Sequence, residues 1–157
     1  MSMPLKIVAL GGGHGLAASL RALRRITSDV VAIVGVSDNG GSSGRLRDEF
    51  DVIPPGDLRM ALTALCSDDE WGQLWARTLQ HRFQGHGDLG GHAVGNLLIT
   101  ALWQQSDDIV AGLDAVSALL GARGRVLPVS LQPLDVVADV RTSDGTLVEV
   151  SGQVQVA

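Results

Sequence analysis

Tyrosine is absent from this 157-residue sequence, and three tryptophans and two phenylalanines are all the aromatics it has. Any core must therefore be built from Leu, Val, Ala and Ile. Cys66 is the one cysteine, which excludes an intrachain disulfide and a cysteine zinc site. Cations are outnumbered, 12 Lys and Arg against 17 Asp and Glu, for a net charge of -5. That balance lacks the basic face used in general nucleic-acid binding, so no nucleic-acid partner is expected. Arg21, Arg24 and Arg25 form a local cluster, read as the wet side of a helix. Long apolar runs are missing too. Residues 7 to 10 are too short for a signal-peptide core or a membrane span, which needs about 20 residues. The expectation is a cytoplasmic protein without a membrane span. His14, His81, His86 and His92 have no metal-ligand spacing, and no metal site is expected from them.

What is present reads as one globular α/β domain, because 45% of the residues are hydrophobic and the length suits a single core. The run "LKIVAL" (5–10) ends in "GGGHG", after which Leu16, Leu20 and Leu23 recur at helical spacing. A second β-branched run, "DVVAIVGVS" (29–37), is apolar enough for a parallel strand covered on both faces. Strand, helix and strand make a right-handed β-α-β unit.

Further on, the pattern is helical. Residues 58 to 66 repeat apolar positions after Pro54 and Pro55, and Trp71, Leu74, Trp75, Leu79 and Phe83 share a stripe over 70–83. Trp71, Trp75 and Trp103 are read as core. Asn96 is expected to cap the helix of 96–105. Asp107 or Asp108 caps the next one and Gly121 stops it. The last third turns to strands: "RVLPVSL" (125–131), then two runs flanking Asp144-Gly145, a hairpin signal. The closing "SGQVQVA" also reads as strand. A domain seldom stops in mid-pattern, so more chain is expected to belong to the complete fold. A sheet missing its later strands leaves an apolar edge, which predicts instability or a homo-oligomer.

Four stretches carry candidate chemistry. "ALGGGHGL" places Gly11, Gly12, Gly13 and Gly15 between a strand and a helix N-terminus, where backbone N–H groups and the helix dipole favour a phosphate. Its spacing matches neither the dinucleotide fingerprint nor the Walker loop. "VSDNGGSSGRLR" follows the second strand, so both loops should share the sheet's carboxyl edge. There Asp38, Asn39, Gly40, Gly41, Ser42 and Ser43 read as a phosphate cradle, with Arg45 or Arg47 as a bidentate partner of phosphate charge. In "PPGDLR", Asp57 is read first as a helix cap. Arg59 is less expected in a first turn, and an anion facing it would account for it. In "GGHAVGNLL", His92 and Asn96 are candidates to hydrogen-bond a ligand. His14, His81 and His86 are left as ordinary surface or loop residues.

Taken in order, "ALGGGHGL", "VSDNGGSSGRLR", "PPGDLRMALTAL", "HRF", "GHAVGNLL" and "GRVLPVS" resemble the YvcK gluconeogenesis-factor family, related to the CofD phospholactate transferases. The pattern is most similar to actinobacterial members. The resemblance implies a Rossmann-like three-layer α/β fold with a mostly parallel sheet, truncated at its C-terminus. Residues 1–157 would be the N-terminal portion of a single domain. It also implies a regulator that binds a UDP-sugar such as UDP-N-acetylglucosamine, linked to gluconeogenic growth, cell shape and peptidoglycan synthesis. Cell-wall-synthesis or kinase partners come with it. On this reading Gly11 to Gly15, Asp38 to Arg47, Asp57, Arg59, His92 and Asn96 face the nucleotide sugar. The rival is a CofD-type transferase, with Asp38 or Asp57 helping to hold Mg²⁺. A dinucleotide-binding domain fits less well, because the glycine spacing is wrong, and a purely structural module would show no nucleotide effect. Two departures stand out. Asn39 replaces the family's second aspartate, which removes a charge. The family also continues past this chain into another glycine-serine loop.

Overall fold

A computed structural model of the chain describes residues 5–106 and 108–156. Three parallel strands, β1 (Ile7–Gly11), β2 (Val30–Val34) and β3 (Arg125–Pro128), lie in the order β1-β2-β3. Ala9 pairs with Ala32, and Ala32 with Val126, so these three share one face. That face is buried under the helices. α1 (Gly13–Leu23) packs on β1, and α3 (Gly56–Ala64) packs on β2, β3 and α1. Leu16 and Leu20 of α1, and Leu58 and Leu62 of α3, fill the space between. Each such leucine contributes about 1.5–3 kcal/mol by leaving water. α4 (Glu70–Gln80), α5 (Val94–Gln105) and α6 (Ile109–Leu120) extend the same layer, while α2 (Gly41–Phe50) packs on α5.

The opposite face of the sheet carries Val8 and Leu10 beside Val31, Ile33 and Leu127. Val8 is 57% and Leu10 71% exposed. β2 is thus fully buried on one side and half-buried on the other. The α/β class and the parallel sheet are as the sequence predicts. Two of the three expected layers lie within the described residues.

Several local expectations change. The helix over 70–83 stops at Gln80, because Arg82 bridges Ala93 in an antiparallel pairing and the Phe83 N–H donates to the His92 carbonyl at 3.0 Å. Phe83 and Leu74 are exposed. Trp103 is core, but Trp75 is half-buried. Trp71 lies at the surface with its indole N–H donated to the Leu119 carbonyl. Asp108 caps α6 by accepting from the Ala111 N–H, and Gly121 ends that helix in the left-handed conformation; Asp107 lies outside the described residues. The hairpin forms as β4 (Val137–Arg141) and β5 (Leu147–Ser151), but the closing residues make a short helix, α7 (Gln153–Val156), not a strand. No helix among the described residues is long and apolar enough to cross a membrane.

Candidate functional site

β1 and β2 end at Gly11 and Val34, and beyond those ends lies a cleft of about 650 Å³. Its walls come from three chain segments. The first glycine turn gives Gly12, Gly13 and His14. The stretch after β2 gives Gly35, Ser37, Asp38 and Gly40 to Ser43. The start of α3 gives Gly56, Asp57, Arg59 and Met60, with Arg82 and Gln153 completing the rim. The second stretch is not a loop throughout, since α2 begins at Gly41. Three helix N-termini therefore meet at one cleft: α1 after Gly12, α2 after Gly40, and α3 from Gly56. None is capped by the side chain of its own N-cap residue, although Asp57 reaches across to the Gly13 N–H of α1. The N–H groups left free in such first turns present a partial positive charge to whatever sits in front of them.

The glycine at position 12 has a steric reason. A Cβ there would stand 2.5 Å from Oδ2 of Asp57, so the turn and α3 approach too closely for a side chain. Asp57 is not the cap of its own helix; its carboxylate accepts the Gly13 N–H. Burial pushes that carboxyl above its ordinary range, the Gly13 bond opposes the shift, and the charge of Asp38 adds to it. Asp38 in turn accepts the Gly40 N–H at 2.9 Å, which shapes the entry into α2.

Arg59 is 3% exposed, and its Nε and Nη1 atoms have no hydrogen-bond partner among the described residues. A buried guanidinium ordinarily finds acceptors for its donors. Burial, and then the neighbouring charge of Arg82, bring its pKa down to about 10 against the opposing pull of Asp57. Two guanidinium groups thus share a cleft that holds two carboxylates.

Of the residues singled out from sequence, Gly12, Gly13, Asp38, Gly40, Gly41, Ser42, Ser43, Asp57 and Arg59 line this cleft together. The others lie elsewhere. Gly11 closes β1, its carbonyl accepting the Gly35 N–H, and Gly15 is inside α1. Asn39 turns toward the C-terminus, where its Oδ1 accepts the Val154 N–H. Arg45 donates to the carbonyls of Asp88 and Gly90, and Arg47 to Asp135 and the Leu134 carbonyl, so neither guanidinium faces the cleft. His92 and Asn96 are buried behind Ser42 and reach its hydroxyl at 3.0 Å each. Asn96 is the third residue of α5 and not its cap, which is Ala93.

Gly35, Ser37, Gly56, Met60, Arg82 and Gln153 line the cleft without having been singled out from sequence, and His14, left as an ordinary loop residue by the residue reading, is spanned only by the resemblance's range Gly11 to Gly15. His14 follows from its place in the glycine turn. Arg82 and Gln153 arrive through tertiary pairing with no periodic signal: the Arg82 segment is held by the Ala93 bridge and donates to the Gly91 carbonyl.

A family model described as 2-phospho-L-lactate transferase CofD matches residues 7–157. A Mycobacterium tuberculosis protein named "Putative gluconeogenesis factor" is 59% identical over 134 residues, 85% of this chain and 39% of the relative. The "Gluconeogenesis factor" of Bacillus subtilis is 43% identical over 148 residues, 94% of this chain and 45% of that protein. A crystal structure of a Bacillus halodurans protein superposes with a TM-score of 0.81 at 39% identity, over 94% of this chain and 46% of that one. The chain spans less than half the length of these relatives.

Proposed function

Since the chain belongs to the CofD family, and its relatives include gluconeogenesis factors, we propose that it is a nucleotide-sugar-binding regulator of that kind, with the diphosphate held in the cleft. The ligand is a UDP-sugar such as UDP-N-acetylglucosamine. The observation that carries the reading is Arg59, a buried cation with unpartnered donors, set where three helix N-termini converge. Such a group is costly to bury alone and is stabilised by an anion that accepts from it. Arg82 supplies a second cation at the rim, and Gly12, Gly13, Gly40 and Gly41 let the backbone come close to a phosphate. The link to gluconeogenic growth, cell shape and peptidoglycan synthesis belongs to the same proposal.

One observation favours a second reading, a CofD-type phospholactate transferase acting on a nucleotide-activated donor. Asp38 and Asp57 both line the cleft, and no third His, Cys, Asp or Glu joins them in a metal cluster among the described residues. Two carboxylates are what Mg²⁺ uses where substrate phosphates complete its coordination. These two residues would hold the ion, which would neutralise phosphate charge.

Calorimetric titration with UDP-N-acetylglucosamine, with UDP and NAD as comparators, tests the first reading. Saturable binding that Arg59→Ala weakens is the expected result. A folded chain that binds none of the three overturns it. Binding that requires Mg²⁺ and is lost in Asp38→Asn supports the second.

A further inference from the structure

Ser42, 4% exposed, lines the cleft, and its hydroxyl is held from behind by three groups. The Asn96 side-chain amide donates to its Oγ at 3.0 Å, and the Ala93 N–H donates at 3.4 Å. The third neighbour is Nδ1 of His92, at 3.0 Å. A serine oxygen has two lone pairs and one proton. Asn96 and Ala93 occupy both lone pairs, so the proton goes to His92 Nδ1, and the imidazole is neutral with its hydrogen on Nε2. In this arrangement Ser42 has nothing to donate to a phosphate.

We propose that His92 is a positioning residue that acts through Ser42, so that a phosphate in the cleft is bound together with one proton. Protons and charge balance in the exchange. The Ser42 hydroxyl proton leaves Nδ1 and turns to a phosphate oxygen. Nδ1 takes a proton from solvent and donates it back to Ser42 Oγ. Oγ then faces three donors with two lone pairs, and the longest contact, from Ala93, is the one that yields. Net uptake is one proton per ligand, stored as imidazolium.

The surroundings of His92 suit such a store. Its ring also lines a separate cavity of about 530 Å³ with Arg45, Asp48 and Glu49 of α2 and Asp88 of the loop before it, which gives it a second way to solvent. Burial, then Arg45, hold the imidazole pKa below 6.5; Glu49 raises it and Arg82 lowers it further. The ring is therefore neutral near pH 7 in the arrangement seen here, and poised to charge when a phosphate recruits the serine proton. By linkage, whatever raises the proton affinity of His92 on binding also tightens binding as the pH falls. A diester diphosphate has no group of its own titrating in that range.

This inference rests on the cleft binding a nucleotide sugar, and its test separates the two. UDP-N-acetylglucosamine is the probe, and His14→Gln is the background, because His14 is a second imidazole lining the cleft. The His92 ring signal is followed by NMR across pH 5 to 8, with and without the probe, and again in Ser42→Ala. The expected result is a His92 midpoint that rises on binding, with affinity tightening on the order of fivefold from pH 8 to pH 5.5. In Ser42→Ala the probe binds more weakly, having lost one phosphate donor, and at saturating probe the His92 midpoint stays put. A midpoint that rises equally in Ser42→Ala would mean simple charge attraction and overturns the inference. So does binding with an unmoved midpoint, which leaves the reading of the cleft intact. Absence of binding at any pH overturns both. Should Ser42→Ala not fold, calorimetry of the His14→Gln chain in buffers of different ionisation enthalpy counts the protons taken up. About one per ligand near the midpoint supports the inference, and none overturns it.

Discussion

The buried stem of Arg59 lies against the backbone of Gly95, where an added Cβ would stand 2.8 Å from its Cδ and 2.9 Å from its Cγ. The first turn of α5 must lack a side chain for the cation of α3 to reach the cleft. Gly95→Ala is therefore expected to weaken UDP-N-acetylglucosamine as Arg59→Ala does, by roughly ten- to a hundredfold, the range for hydrogen bonds to a charged group. It should also cost about 1–3 kcal/mol through overpacking. Arg59→Met separates the two effects, because it removes an unpaired buried charge and keeps an apolar stem. It should weaken binding as Arg59→Ala does while leaving the thermal midpoint unchanged or higher. Calorimetry and thermal melts on the same samples decide; equal binding by Gly95→Ala and the parent chain would count against the relationship.

The Asp57 carboxyl is held above its ordinary value of 3.8, first by burial and then by Asp38, against the Gly13 N–H bond. The sign follows from proton counts. Between the unfolded value and the raised native one, the folded chain holds a proton that the unfolded chain has lost. Stability therefore falls as the pH climbs through that interval and stays lower above it. Asp57→Asn keeps an acceptor for Gly13 and never ionises. It should melt at a higher temperature than the parent at pH 7, and the gap should close below pH 3.8. A gap that does not change with pH would show that the carboxylate is not the cause.

Much of the fold is legible in the chain, for identifiable reasons. Strands β1 and β2 are short apolar runs bounded by glycine or a cap-rich turn, so their type and parallel pairing follow from pattern. The two glycine stretches follow those strands, and the rule for open sheets places them at one edge. The Arg59 cation stands out because a first-turn arginine opposes the helix dipole. Side-chain direction is not legible in the same way. Arg45 and Arg47 sit four and six residues after the Gly41 that starts α2, and the turn of that helix carries them to Gly90 and Asp135. Arg82 and Gln153 enter the cleft through the Ala93 bridge and the C-terminal helix, which are long-range contacts with no local signature. The alternating pattern of the closing residues suits a strand, yet they form α7, because Gly152 turns the chain at φ +99.

Asn39 is a tie between the cradle and that last helix. Its Oδ1 accepts the Val154 N–H at 3.1 Å, and its amide lies 3.4 Å from Oε1 of Gln155. Asn39→Ala should release the C-terminal turn and with it Gln153 at the rim, speeding proteolysis after Ser151. Asn39→Asp keeps the Val154 bond and should protect nearly as well as the parent. Cleavage at the parent rate in Asn39→Ala would rule out the tie. Stability of the rest should change little, because the contact is exposed and local.

Leu10 is the most exposed apolar residue of the sheet, at 71%, and it lies level with Ile33 and Leu127 on the face that carries no helix among the described residues. Val8 continues the patch one pair back, beside Val31. A contiguous apolar face on a parallel sheet is unusual, since such sheets are normally covered on both sides. Relatives more than twice this length have chain to spare for the cover. Residues 1–157 on their own would offer this face to water or to another copy, and the hydrophobic effect favours the copy. The 157-residue chain is therefore expected to sediment as a concentration-dependent mixture of monomer and larger species. Leu10→Glu puts a charge in the centre of the patch and touches no core contact, so it should shift the chain toward monomer at little cost to its melting temperature. A parent chain that stays monomeric up to its solubility limit would show that the open face is tolerated, and that twist or edge residues suffice to protect it.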